Sequence, residues 1–361
     1  MACFLHPLTF IGDSLRDYIF MPDPVKKISP AIFKECENVF DTSITDPVFY
    51  PNKSDVLKLF DKKEILIEHT CNGKKLESKV LIFETNFSRA KETHTCLRVG
   101  GGDELLSLSS MRIMPYLSAF NRETDKKKNL RFIQISLFEN FEDANGKLIN
   151  WKPSNFEDIG KLIFSFLEGL MQKNISVDSM ICHSLGGAVL EGLNSIDPKK
   201  VPKTLILDRA YTSTWKVGRQ LMNPVLCYIL YFLAYCSGWA GNPEYSLIRF
   251  FENQKKTTSS IPLSDRSVII IEAEHDFFFS NHGAFDNGVA NQLNKLGVNA
   301  FQQKFVPNPL RVHYRAHHAC PIDYLINNNT EGHTGTFNIG YRQDVASAVV
   351  NNVFRNHVKM D

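Results

Sequence analysis

The chain lacks any CxxC pair, and its eight cysteines (Cys3, Cys36, Cys71, Cys96, Cys182, Cys227, Cys236 and Cys320) follow no ladder of spacings. A disulfide framework is therefore not expected, and free thiols in a reducing compartment are the natural reading. An excess of one charge is also missing: 41 Lys and Arg against 39 Asp and Glu leave a formal net charge of +2. Such a chain has no global field drawing it to nucleic acid, and no basic block carries interleaved aromatics, so nucleic acid is not an expected partner. The run DKKK (125–128) reads as a solvated loop before a strand. The opening MACFLHPLTFIGDSLRDYIF has no basic leading segment and meets Asp13 early, which does not suit a Sec signal peptide. The expected location is the cytoplasm, or an exterior reached without such a peptide. Internal repeats and low-complexity tracts are absent.

What is present is ordinary globular material. The 361 residues are 43% hydrophobic and 22% charged, enough for one large α/β domain or two small ones. Residues 1–60 show no clean periodicity and read as an N-terminal extension packed on a main domain, 61–361. Within that domain EILIEHTCNGKKLESKVLIFE (64–84) places two β-rich runs around Asn72-Gly73, a pair suited to a type I′ turn. Strands are then expected at 93–102, 130–138, 177–183, 204–213, 267–276 and 301–307, and helices at 107–120, 154–173 and 342–354. In the helix at 154–173, Ser154 and Glu157 have capping-box spacing, and Ile159, Leu162, Ile163, Phe166, Leu167, Leu170 and Met171 share a face. A hairpin followed by β-α-β-α alternation predicts an α/β fold, a mainly parallel central sheet with helices on both faces.

The stretch MICHSLGGAV (180–189) breaks this rhythm: a buried strand stops at Ser184, and small residues follow at once. A nucleophilic serine needs an exposed Oγ near a base, with backbone N–H groups aimed at the developing oxyanion. A tight strand-to-helix turn supplies the exposure and one donor, the N–H of Leu185, and is crowded enough to demand small residues two before and two after the serine. Here these are Cys182 and Gly186. CHSLGG after a strand resembles the nucleophile elbow of the α/β-hydrolase superfamily, in its lipase, esterase and acyl-thioesterase branch, over residues 60–355. The extension and the cysteine usage also resemble the SidB/SdbB-type lipase-like effectors of intracellular bacteria, a resemblance that implies delivery into a host cell.

The resemblance implies a nucleophile, acid, histidine order. Asp276, closing IIIEAEHD, stands where the acid belongs, with Glu274 and Asp208 as rivals. His333, in the loop EGHTGTFNIGY ahead of the terminal helix, stands where the base belongs, with His313, His317 and His318 as rivals. The loop VGGGDE (99–104) corresponds to the second half of the oxyanion hole, with Gly101 or Gly102 as donor and Val99 where the family often has histidine. No Gly-Lys-Ser/Thr follows, so it is not a phosphate loop. His183 is not the base, because successive strand side chains point to opposite sides. A metal site at His313, His317, His318 and Cys320 is disfavoured, since no glutamate sits between the histidines, and no cofactor is expected.

An insertion at 215–262 separates the sixth and seventh strands, the place of a helical lid. Within it LMNPVLCYILYFLAYCSGWAGN (221–242) carries no charge. Its Asn, Pro, Gly and Tyr content argues against a span, and a helix packed over the active site, roofing an acyl pocket with Leu, Tyr and Phe, is expected. Peripheral membrane contact through 221–242 is the sharper reading of the same stretch. The expected activity is serine hydrolysis of carboxylic or thio-esters of hydrophobic acyl groups, on a lipid or acyl-ester substrate. The alternative is a catalytically silent protein of this fold, acting on a membrane or protein partner through the apolar insertion.

Overall fold

The computed structural model describes residues 59–101, 116–117, 119–120, 128–135, 141–142, 153–257, 261–274, 276, 283–307, 325–326 and 349. The proposed extension 1–60 therefore lies almost wholly outside the described residues, as do His313, His317, His318, Cys320, His333, Gly102 and nearly all of the expected terminal helix.

Strands β1 (Phe60–Cys71) and β2 (Lys74–Thr85) form the hairpin, with Phe60 opposite Thr85 and Cys71 opposite Lys74. Asn72 and Gly73 take φ of 50° and 74°, the left-handed pair that a type I′ turn requires. Next come β3 (Glu92–Val99), β4 (Lys128–Ile135) and the two-residue β5 (Phe141–Glu142). Then follow α1 (Phe156–Gln172), β6 (Ser179–His183) and a 3-10 helix over Ser184–Ser195. After β7 (Thr204–Asp208), three helices, α2 (Thr214–Leu221), α3 (Pro224–Cys236) and α4 (Pro243–Lys256), precede β8 (Ser267–Ala273). Finally α5 (Val289–Leu296), β9 (Asn299–Pro307) and β10 (Leu325–Ile326) complete the described elements.

The strands join one sheet in the order β1-β2-β4-β3-β6-β7-β8-β9-β10, with β5 beside β2. From β4 through β3, β6, β7 and β8 to β9 every pairing is parallel; the β1–β2, β2–β4 and β9–β10 pairs are antiparallel. The central strands are apolar on both sides because both faces are covered. One face carries Leu97, Val99, Met180, Cys182, Leu205, Leu207, Val268 and Ile270, packed with residues of α1, the 3-10 helix, α4 and α5. On the other, helical Tyr116 stacks on Phe132, their rings 6.0 Å apart, and Val349 meets Ile269, Ile271, Phe301 and Phe305 around a small gap. This is the expected α/β architecture with helices on both faces, compatible with the α/β-hydrolase fold. The helical insertion follows the sixth of the long strands, since β5 is only a two-residue edge piece.

Three local expectations are corrected. The capping box on Ser154 and Glu157 does not form. Asn155 is the N-cap, its side chain accepting from the Asp158 N–H at 2.8 Å, and the Asp158 carboxylate reaches back to the Ser154 N–H at 3.0 Å and to its hydroxyl. The cap is thus shifted one residue along, and the Asp158 carboxylate reaches past it to Ser154. Second, the helix after Ser184 is wound in 3-10 turns for 12 residues, long for that geometry. Its glycines touch backbone. A Cβ at Gly186 would lie 2.6 Å from the Val99 carbonyl O, at Gly187 2.7 Å from the Tyr211 N, and at Gly192 2.6 Å from the Gly160 Cα. Third, α3 turns several of its large residues outward. It packs on α2, with Tyr228 and Tyr231 edge-on to Trp215, and buries Cys227 and Ala234, while Leu226, Tyr228, Phe232 and Tyr235 face solvent. No described helix is long and apolar enough to cross a membrane.

Candidate functional site

The site grows from the carboxyl ends of β3, β6, β7 and β8. The apolar run of β6 ends at His183, and Ser184 takes φ of 53°. A left-handed backbone costs an ordinary residue of order 1–2 kcal/mol, so the surroundings must over-determine it. They do. The Tyr211 N–H donates to the Ser184 carbonyl at 2.7 Å, and Gly186 and Gly187 allow the backbones of residues 99–100 and 211 to close in. The corner that small residues predicted is therefore real.

Gly101 lies against the serine side chain: a Cβ there would come within 3.2 Å of the Ser184 Oγ. The loop after β3 thus lies against Ser184. Leu185 is buried, while Ser184 itself is half-buried. Asp276 sits just beyond β8, with 1% of its surface exposed and its N–H donating to the Ala273 carbonyl at 3.3 Å. Strands β6 and β8 are separated only by β7. Ser184 follows the carboxyl end of β6 and Asp276 that of β8, so both lie along the same end of the sheet. His333, the expected base, and Gly102, the alternative donor, lie outside the described residues.

His183 points to the opposite face from Cys182 and is 1% exposed. Its Nδ1 is 3.0 Å from the Asp208 carbonyl O and 3.1 Å from Asp208 Oδ2. Both are acceptors, so Nδ1 carries the hydrogen. Asp208 in turn is gripped by its neighbour: Arg209 Nε donates to Oδ1 at 2.8 Å and a terminal guanidinium nitrogen to Oδ2 at 3.1 Å. Arg209 takes φ of 46°, which folds its side chain back over the preceding carboxylate. Burial alone would raise the Asp208 carboxyl, but the Arg209 guanidinium and the His183 ring outweigh it and hold it well below the usual range. Asp208, a rival for the catalytic acid, is thus committed to a buried His183–Asp208–Arg209 cluster beneath the corner.

A second cluster has no motif in the sequence. Lys216 on α2 bonds Glu244 on α4 at 2.7 Å and Asp286 at 2.8 Å. Glu272 on β8 accepts the Phe285 N–H at 2.9 Å, and burial pushes its carboxyl up to about 7. Thr212 donates to the Gly283 carbonyl at 2.7 Å. Together these fasten the segment 283–286, downstream of Asp276, to the helical insertion. Residues scattered from 212 to 286 gave no motif by which to find them. Among the described residues no group of His, Cys, Asp and Glu could hold a metal ion.

No protein-family profile and no curated protein matches the chain. Solved structures with a similar chain course include the Pyrobaculum calidifontis esterase, 12% identical at a TM-score of 0.42, covering 77% of this chain and 88% of that one. A thermostable carboxylesterase cloned from a metagenomic library is 10% identical at 0.40, covering 76% and 87%. A Mycobacterium tuberculosis puromycin-hydrolyzing peptidase is 11% identical at 0.45, covering 82% of this chain and 39% of that one. None of these supports the narrower resemblance to bacterial effectors, and the reading of the site rests on its own geometry.

Proposed function

We propose that the protein is a serine hydrolase cleaving carboxylic or thio-esters of hydrophobic acyl groups. The observation that carries this is the left-handed backbone of Ser184 at the end of a buried strand, with Gly101 pressed against its side chain. A fold stores such strain at a serine, with a glycine pressed against its side chain, when the hydroxyl has work to do.

In this reading Ser184 Oγ attacks the acyl carbonyl carbon while His333 takes the hydroxyl proton, and Asp276 holds the imidazole in the right tautomer and stabilises its cation. The backbone N–H of Leu185 and that of Gly101 or Gly102 hold the oxyanion. The tetrahedral intermediate collapses, its C–O or C–S bond breaks, and His333 returns the proton to the departing alcohol or thiol. Water, deprotonated by His333, then attacks the acyl-enzyme and releases the acid and Ser184. The test is labelling by a fluorophosphonate, paired with turnover of p-nitrophenyl esters of rising chain length. Wild type should label and turn over; Ser184→Ala should not label and should lose roughly 10⁴-fold or more in rate. Equal labelling of the two proteins overturns the proposal.

One observation favours the second reading, a silent fold that acts through its insertion: the apolar outer face of α3 is exposed. The same labelling experiment decides between the two.

A further inference from the structure

From the outer face of α3 we infer a docking surface for a phospholipid bilayer bearing anionic headgroups. Val225, Tyr228, Ile229, Phe232 and Tyr235 repeat at helical spacing along one side of α3, and each is more than half exposed. Contiguous exposed apolar surface of this kind is rare on soluble monomers and marks an interaction site. Cys227 and Ala234 on the other side of α3 are buried and Tyr231 lies edge-on to Trp215, so the helix is anchored with the stripe outward.

Three features favour lipid over a protein partner. The helix PVLCYILYFLAYC has no charged side chain from end to end, so it offers none of the paired charges that fix register at a protein interface. Tyr228 and Tyr235 are the two most exposed of its rings, amphipathic groups that settle where apolar chain meets headgroup. No Asp or Glu occurs between Asp208 and Glu244, and Arg219, on the neighbouring helix, is an exposed cation. Arg219 lies over the Trp215 ring at 5.9 Å, beside the apolar stripe. With 13 residues α3 is about 20 Å long, short of the ~30 Å hydrocarbon core, so it lies in the surface and does not cross it.

The inference goes beyond hydrolysis and stands on the surface alone. It is tested with the full chain by co-sedimentation with vesicles of phosphatidylcholine containing a minor share of phosphatidylserine, and with pure phosphatidylcholine. Wild type should partition to the mixed vesicles more strongly than to the neutral ones. Phe232→Asp, at an exposed position, should lower partitioning by roughly tenfold or more while leaving the circular dichroism spectrum unchanged. Arg219→Glu should abolish the preference for the mixed vesicles. Ser184→Ala should bind as wild type does, so loss of hydrolysis and loss of docking are read separately. Wild type that ignores both vesicles, or that sediments as a dimer which Phe232→Asp splits, overturns the inference.

Discussion

A Cβ on residue 101 would stand 2.9 Å from the Ser184 Cβ, closer than two such carbons ordinarily approach. Glycine at 101 is thus set by the serine opposite it. The expected outcome of Gly101→Ala is a fall in ester turnover of about 10²-fold or more, with far-UV circular dichroism unchanged. Turnover within a factor of a few of wild type would show that the post-β3 loop is not part of the site.

Ser184 holds φ of 53°, a conformation glycine adopts freely. Ser184→Gly and Ser184→Ala should both be inactive, yet differ in stability. Glycine releases the backbone strain and alanine keeps it, so the glycine variant should be the more stable of the pair by about 1 kcal/mol. Urea midpoints at equal slope measure the difference. Coincident midpoints would mean the corner is not strained.

The two buried aspartates should separate by assay. Asp208→Asn leaves the Arg209 guanidinium buried against a neutral amide, and should cost about 3–5 kcal/mol of stability, seen as a large drop in Tm. Asp276→Asn should lower kcat by about 10⁴-fold. A stable, inactive Asp208→Asn beside an active Asp276→Asn would exchange their roles.

Acid and base should act on different groups. His69, held between Ser165 and Ser78 at 2.8 Å each, and His94 are both pushed down to about 4 by burial. Each is ordinarily half-protonated near pH 6.5 when unfolded, so the unfolded chain takes up protons first and stability falls as pH drops from about 6.5 towards 4. Glu272 runs the other way. Its folded carboxyl, raised by burial to about 7, releases its proton later than the unfolded one, so its contribution is lost as pH rises through about 7. Stability from these three groups should therefore peak near pH 6.5. His69→Gln should flatten the acid limb and Glu272→Gln the limb near neutrality, both read from Tm across pH.

What the sequence made legible was carried by local signals. Asn72-Gly73 specifies its turn by itself, the apolar runs of β6, β7 and β8 announce strands covered on both faces, and small residues around Ser184 announce the corner. What it hid depends on contacts distant in the chain. Ser154 and Asn155 are both good caps, and the choice follows from where the Asp158 carboxylate goes, to Ser154 and to Asn72 across the hairpin turn. Asp208 reads equally well as a catalytic acid until Arg209 is seen folded back upon it. The composition of α3 is that of a buried helix, and only the packing of α2 beneath it shows which side is out. The insertion of β3 between β4 and β6 has no local signature at all.

That insertion of β3 bears on synthesis. The Ser184 corner is bounded on one side by residues 99–101, made some eighty positions earlier, and on the other by the Tyr211 N–H, made after it. A nascent chain that has just exposed Ser184 has no second wall to hold the serine in its left-handed turn. The corner is therefore a late product of translation, assembled only once β7 has left the ribosome and joined a partly built sheet. A chain truncated before residue 211 would carry the serine without the geometry that arms it.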